Sequence, residues 1–204
     1  MRKPKLRELA EAIRSFFSFP YTSKFPNITV TPPEGFRGRP RYHKEECVGC
    51  KACAEVCPAR AIDVEDVLVK SGRGFRRLTH RYDVCIYCGQ CEAACITGEG
   101  IKLSLEWELS GNERASMTDI VEKDLLFCEL CGSAIGCVDH LKWIAKKVGL
   151  IAYANPSIYL TRHKEDLKAL PGVSQRDERP VGRYDQMRIT CPSCRREVLF
   201  TEAW

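Results

Sequence analysis

Two copies of one cysteine spacing constrain this chain more than any other feature. Cys47, Cys50, Cys53 and Cys57 follow C-x2-C-x2-C-x3-C, and Cys85, Cys88, Cys91 and Cys95 repeat it. Each cysteine of the second copy lies 38 residues after its counterpart. Three thiols at such intervals wrap one face of a tight loop, and the fourth begins a helix pointing away. The repeat therefore predicts two pseudo-equivalent halves, each with a short strand, a cysteine loop and a short helix.

What the thiols do depends on their compartment. The chain has thirteen cysteines, an odd number. Its first residues, MRKPKLRELAEAIRSFF, lack the uninterrupted apolar stretch and small-residue cleavage site of a secretory signal. The expectation is a reducing cytosol, where clustered cysteines bind metal more often than they form disulfides. No apolar run approaches the ~18–20 residues that span a bilayer. Charge is uneven: residues 1–42 carry net +6, residues 43–127 net −4 and residues 128–204 net +3. A basic arm of this kind meets acidic lipid, nucleic acid or an acidic partner subunit, or is simply solvated.

Three segments follow. In residues 1–41, Leu6, Leu9, Ile13, Phe16 and Phe17 form the stripe of an amphipathic helix that ends before Pro20. The stripe must dock on protein or at a membrane surface, and its moderately basic polar face favours protein. Pro26 to Pro40 reads as extended linker. Residues 42–110 hold the cysteine doublet. Within them, Val64 to Val69 and Phe75 to Tyr82 flank Ser71-Gly72-Arg73-Gly74 as a hairpin. The strict alternation of Ile101, Leu103, Leu105, Trp107 and Leu109 predicts a half-buried strand. In residues 111–204, Val138, Leu141, Ile144, Ala145 and Val148 mark one helix, and Leu160 to Leu170 a second.

The doublet resembles a two-cluster bacterial ferredoxin module, which gives an α+β fold with two [4Fe–4S] clusters. In such modules the fourth cysteine of each run ligates the other cluster. Carried over, that rule gives Cys47, Cys50, Cys53 and Cys95 to the first cluster, and Cys85, Cys88, Cys91 and Cys57 to the second. Pro58 follows the first run, as the pattern prefers; Ile96 follows the second and removes no ligand. Zinc alone would not need this spacing twice.

The tail carries a different signal. Cys128/Cys131 and Cys191/Cys194 are two C-x2-C knuckles, the ligand set of a single tetrahedral Zn²⁺ or rubredoxin-type iron. The reading is a structural staple for a small lobe. Cys137 is left over, either as a reduced buried thiol or as a substitute ligand. His43, His80, His140 and His163 lack a ligand pattern and read as polar-face residues. No nucleotide fingerprint, phosphate loop or nucleophilic triad is legible, so the chain has no catalytic site of its own. A zinc-ribbon role on nucleic acid is disfavoured by the tail's weak charge.

The arm, the segment PPEGFRGRP and the two cysteine loops together resemble the two-[4Fe–4S] subunit shared by respiratory complex I and membrane-bound [NiFe] hydrogenases. The knuckles at Cys128/Cys131 and Cys191/Cys194, with IKLSLEWELSG, resemble the formate hydrogenlyase-type (group 4) branch. The resemblance implies an electron-transfer subunit on the cytoplasmic face of the cell membrane, peripheral to a membrane complex. It would pass electrons between a donor module (formate or carbon monoxide dehydrogenase, or ferredoxin) and the proximal cluster beside the hydrogenase small and large subunits. The equivalent subunit of a complex I-like quinone or ferredoxin oxidoreductase, among peripheral-arm partners, is the alternative.

Overall fold

A computed structural model describes residues 5–19, 27–28, 30–69, 73–111, 113–163 and 181–200. The chain divides into two units, Met1–Phe36 and Arg37–Trp204. In the first unit, α1 spans Leu6–Phe17, and the Glu8 carboxylate accepts the Lys5 N–H at its start. None of its residues is buried, so the predicted apolar stripe is formed and lies exposed.

The second unit is built on the 38-residue repeat. Its elements are β1 (Pro40–Tyr42), α2 (Ala52–Glu55), β2 (Ile62–Val69), β3 (Arg73–Arg81), α3 (Gln90–Ala93) and β4 (Ile101–Leu103). The one-turn helices α2 and α3 sit at the repeat offset. So do the backbone turns: positive φ occurs at Gly49 and Tyr87, at Lys51 and Gly89, and at Arg60 and Gly98. Each pair has one glycine and one residue that pays the left-handed penalty, so the loop geometry is held even where glycine is absent. The halves interlock, because β1 pairs antiparallel with β4 and β2 with β3.

The predicted hairpin is present, with Val64 opposite Leu78 and Val67 opposite Phe75; Ser71 and Gly72 of its turn lie outside the described residues. Two expectations differ. The strand expected through Leu109 stops at Leu103. Beyond it Ser104 turns back onto Arg39, whose carbonyl accepts both the Ser104 N–H and hydroxyl, and Glu106 pairs with Arg39 and Arg41. Backbone bonds from Gly38 and Arg39 to the Ser104 and Glu106 carbonyls continue the pairing irregularly past Leu103, and Leu105 remains exposed. The second helix of the tail begins earlier than expected, as α5 at Pro156, and is described to His163; residues 164–180 lie outside the description.

Strand β5 (Thr118–Phe127) pairs with β3 and then with β6 (Ala134–Cys137), giving the sheet order β2-β3-β5-β6. Helix α4 (Val138–Val148) follows, as the sequence predicts, and α6 (Pro192–Phe200) closes the described chain. One core gathers Tyr42, Cys47, Cys53, Ile62, Leu78, Cys91, Ile101 and Val121. A second contains little besides Cys128, Leu130, Cys191, Cys194 and Val198.

Candidate iron–sulfur and metal centres

Each cysteine loop enters its helix through a left-handed residue, Lys51 or Gly89, which turns the chain sharply enough to bring three thiols round one space. The first cavity is walled by Cys47, Cys50 and Cys53 from the first loop and by Cys95 from the second. The second is walled by Cys85, Cys88 and Cys91 and by Cys57. The eight predicted residues therefore fall into two groups of four, each drawing one thiol from the opposite half. Leu78, Ile101 and Tyr42 complete the first wall; Ile62, Tyr87 and His80 complete the second.

The sulfurs are served by donors. The Ala61 N–H reaches Cys57 Sγ at 3.3 Å, the Tyr87 N–H reaches Cys85 Sγ at 3.4 Å, and the Tyr42 hydroxyl lies 3.8 Å from Cys53 Sγ. Burial pushes the free thiols up, to about 12 at Cys53 and about 11 at Cys91. At Cys95 burial acts the same way, but the Thr97 hydroxyl and the N–H groups of Thr97, Gly100 and Ile101 prevail and lower it. Four inward thiols, N–H donors and an apolar surround are the donor chemistry of a cubane with thiolate ligands. When bound, the clusters supply one-electron transfer.

In the tail, the sulfurs of Cys128, Cys131, Cys191 and Cys194 all lie within 4.8 Å of one another, with Cys131 and Cys191 at 3.7 Å. A tetrahedral ion with metal–sulfur bonds of about 2.3 Å separates its sulfurs by about 3.8 Å. The first knuckle is the turn between β5 and β6, where Cys128 N–H donates to Ser133 O and Gly132 N–H to Cys128 O. The second begins α6. They meet because Glu129 N–H donates to Ile189 O and the Glu129 carboxylate accepts the Ile189 N–H. The Ser157 hydroxyl of α5 adds a tie: it donates to Thr190 O and accepts from Arg195. Cys137 stands apart from this foursome. It is fully buried, with Sγ 3.4 Å from Gly49 O behind the first cysteine loop.

Residues 46–98 match the 4Fe–4S dicluster domain. The chain is 30% identical over 131 residues to NADH-quinone oxidoreductase subunit I 2 of Geobacter metallireducens, covering 60% of this chain and 97% of that protein. The chain belongs to this family of two-cluster iron–sulfur subunits. It is also 27% identical to formate hydrogenlyase subunit 6 of Escherichia coli over 177 residues, covering 86% of this chain and 82% of that protein. Among solved structures, a chain of the archaeal membrane-bound sulfane sulfur reductase is 25% identical, with a TM-score of 0.40, covering 57% of this chain and 61% of that one. As a member of the family, the chain is an iron–sulfur electron-transfer subunit. No described helix is long and apolar enough to cross a membrane.

Sequence reasoning missed two residues at the centres, Arg76 and His80. Both lie in GFRRLTHR, within the second strand of the expected hairpin. The legible signal was phase: Gly74, Arg76, Leu78 and His80 share one face, and that face is buried. His80 is thus no polar-face residue. It is 1% exposed, packs between Tyr42 and Tyr82, and its Nδ1 has no hydrogen-bond partner.

Burial pushes the His80 imidazole down to about 4, with Asp119 opposing. The unfolded chain, with an ordinary histidine near ~6.5, takes up a proton that the folded chain refuses. Stability from this group is complete above ~6.5 and is lost as pH falls toward about 4. Denaturant unfolding of the cluster-loaded protein, followed by cluster absorbance, should lose about 1 kcal/mol more between pH 7 and 5.5 than a His80→Phe variant does. Equal slopes for both proteins would refute the buried neutral ring.

Proposed function

We propose that this chain is the electron-transfer subunit of a membrane-bound [NiFe] hydrogenase of the formate hydrogenlyase type. Cys47, Cys50, Cys53 and Cys95 hold one [4Fe–4S] cluster; Cys85, Cys88, Cys91 and Cys57 hold the other. Electrons pass through the subunit between a donor module (formate or carbon monoxide dehydrogenase, or a ferredoxin) and the proximal cluster of the hydrogenase. Residues 42–110 form the relay, residues 1–41 the docking arm, and residues 111–204 a lobe stapled by one Zn²⁺ or rubredoxin-type iron on Cys128, Cys131, Cys191 and Cys194. The subunit sits peripherally at the cytoplasmic face of the membrane.

The observation that carries this reading is the four-sulfur site of the tail. Nearly all of the Geobacter relative is matched by 60% of this chain, whereas the similarity to formate hydrogenlyase subunit 6 extends over 86% and so takes in most of residues 111–204. The chain's own residues prepare the relay. Tyr42, Leu78 and Ile101 keep water from the first cavity, Ile62 and Tyr87 from the second, and backbone donors stabilise sulfur charge.

A second reading is the equivalent subunit of a complex I-like quinone or ferredoxin oxidoreductase. It is favoured by the higher identity to subunit I over almost that protein's full length. Purification of the native complex under anaerobic conditions separates the two. The expected result is about eight irons in two cubanes per subunit, one further zinc or iron, and a nickel-containing partner. A quinone-reactive set of partners without nickel overturns the hydrogenase assignment, and zinc alone in the subunit overturns the relay itself.

A further inference from the structure

Behind the first cysteine loop lies a buried ionic contact; at the second loop the described residues offer an exposed one without an acidic partner, Arg37 donating to the Cys88 carbonyl at 3.4 Å. Arg76, 7% exposed, donates to the Gly49 carbonyl at 3.1 Å and grips Asp66 with two bonds, at 2.7 and 2.8 Å. The Cys137 thiol reaches the same carbonyl from α4's start. Nothing larger than glycine fits there: a Cβ on Gly49 would stand 2.6 Å from Cys137 Sγ. The counterpart of Gly49 in the second loop is Tyr87, whose side chain instead bonds the Tyr82 carbonyl.

A charged arginine fixed on a main-chain carbonyl has two physical consequences. The peptide between Gly49 and Cys50 is planar and trans, so holding its carbonyl outward aims the Cys50 N–H back toward the cavity. The guanidinium also places a permanent positive charge, poorly screened by solvent, behind that wall. Both favour the state of the cavity's contents that carries one more electron.

We propose that Arg76 is a positioning residue that raises the reduction potential of the first cluster relative to the second, with Asp66 and Cys137 holding it and the Gly49 carbonyl in place. This rests on the assignment of Cys47, Cys50, Cys53 and Cys95 to one cluster. The two are tested apart by redox titration of the anaerobically purified subunit, each cluster being followed by its own EPR signal. Cys50→Ser identifies the first-cavity signal; if it leaves both signals unchanged, the ligand assignment fails. In Arg76→Gln that same signal should become harder to reduce by about tenfold in its oxidised-to-reduced ratio, or about 59 mV for one electron. The other signal should not move.

Arg76→Lys keeps the charge but not the fork and should restore part of the shift. Asp66→Asn removes the opposing charge but keeps an amide oxygen to anchor the guanidinium, and should move the signal the other way, which general loosening of the fold would not do; it also serves if Arg76→Gln fails to assemble. An unshifted first-cavity signal in a variant that holds both clusters overturns the proposal. So does a shift of the same sign in Arg76→Gln and Asp66→Asn.

Discussion

Replacing Cys57 with serine should extinguish the cluster of the second cavity first, although Cys57 belongs to the first cysteine run. The geometry gives the reason. The chain leaves α2 at Val56, and Cys57 follows beyond the helix, so its thiol lies in the wall formed by Cys85, Cys88 and Cys91. The mirror replacement, Cys95→Ser, should extinguish the cluster of the first cavity, whose other thiols are Cys47, Cys50 and Cys53. Iron content should fall from about eight toward about four per chain in each case, with a different EPR signal lost. Loss of the same-run cluster in both variants would falsify the crossed assignment. Because Cys47, Cys53 and Cys91 share one core, the surviving cluster should also be released faster on dilution into chelator than in the parent protein.

The second large effect belongs to the tail. Cys194→Ala should release its metal and unfold the lobe around α6 while the iron–sulfur absorbance persists. The lobe's own core is chiefly Cys128, Cys191 and Cys194 with Leu130 and Val198. Without a metal, so small a cluster of side chains offers little buried apolar area to oppose chain entropy, and metal binding here is largely folding energy. Hydrogen exchange reports the outcome. Amides of α6 and of the turn from Cys128 to Ser133 should lose protection, whereas β5 should keep most of its own, being paired along β3 from Thr118 to Asp124. An α6 that stays protected after metal loss would show that the helices α4 and α5 support the lobe unaided.

The grouping of the eight doublet cysteines was legible because ligand spacing is a local property and the rule of exchange between halves follows from where the fourth cysteine points. The knuckles were equally legible, being two short runs with the ligand spacing of one shared ion, and their sulfurs converge. The hydrophobic period located α1 and α4. What escaped was anything decided by neighbours distant in sequence. The alternation from Ile101 to Leu109 predicts a strand, but regular pairing joins only Pro40–Tyr42 to Ile101–Leu103, and beyond it Gly38 and Arg39 meet Ser104 and Glu106 out of register. No element was expected at residues 118–127, yet they complete the sheet on β3. His80 was read as a polar-face residue for want of a ligand pattern and Arg76 was not singled out, although their phase with Leu78 placed them inside. The position of Cys137 depends on β6 returning beside β5, which no spacing announces.

Duplicated units that keep the same turns at the same offset make two nearly identical stations for charge. Identical stations provide no preference for which end an electron rests at, and hence no sense of direction. In this chain the strands added after the repeat meet the two stations differently: Lys123 of β5 and Cys137 of β6 close in on Gly49 at the first, Asp119 of β5 lies opposite His80 at the second, and the tip of that same hairpin is the cysteine knuckle. The tail thereby breaks the symmetry of the repeat. It gives an otherwise reversible wire two ends that differ, and it sets the staple at the far end of the very hairpin that makes them differ.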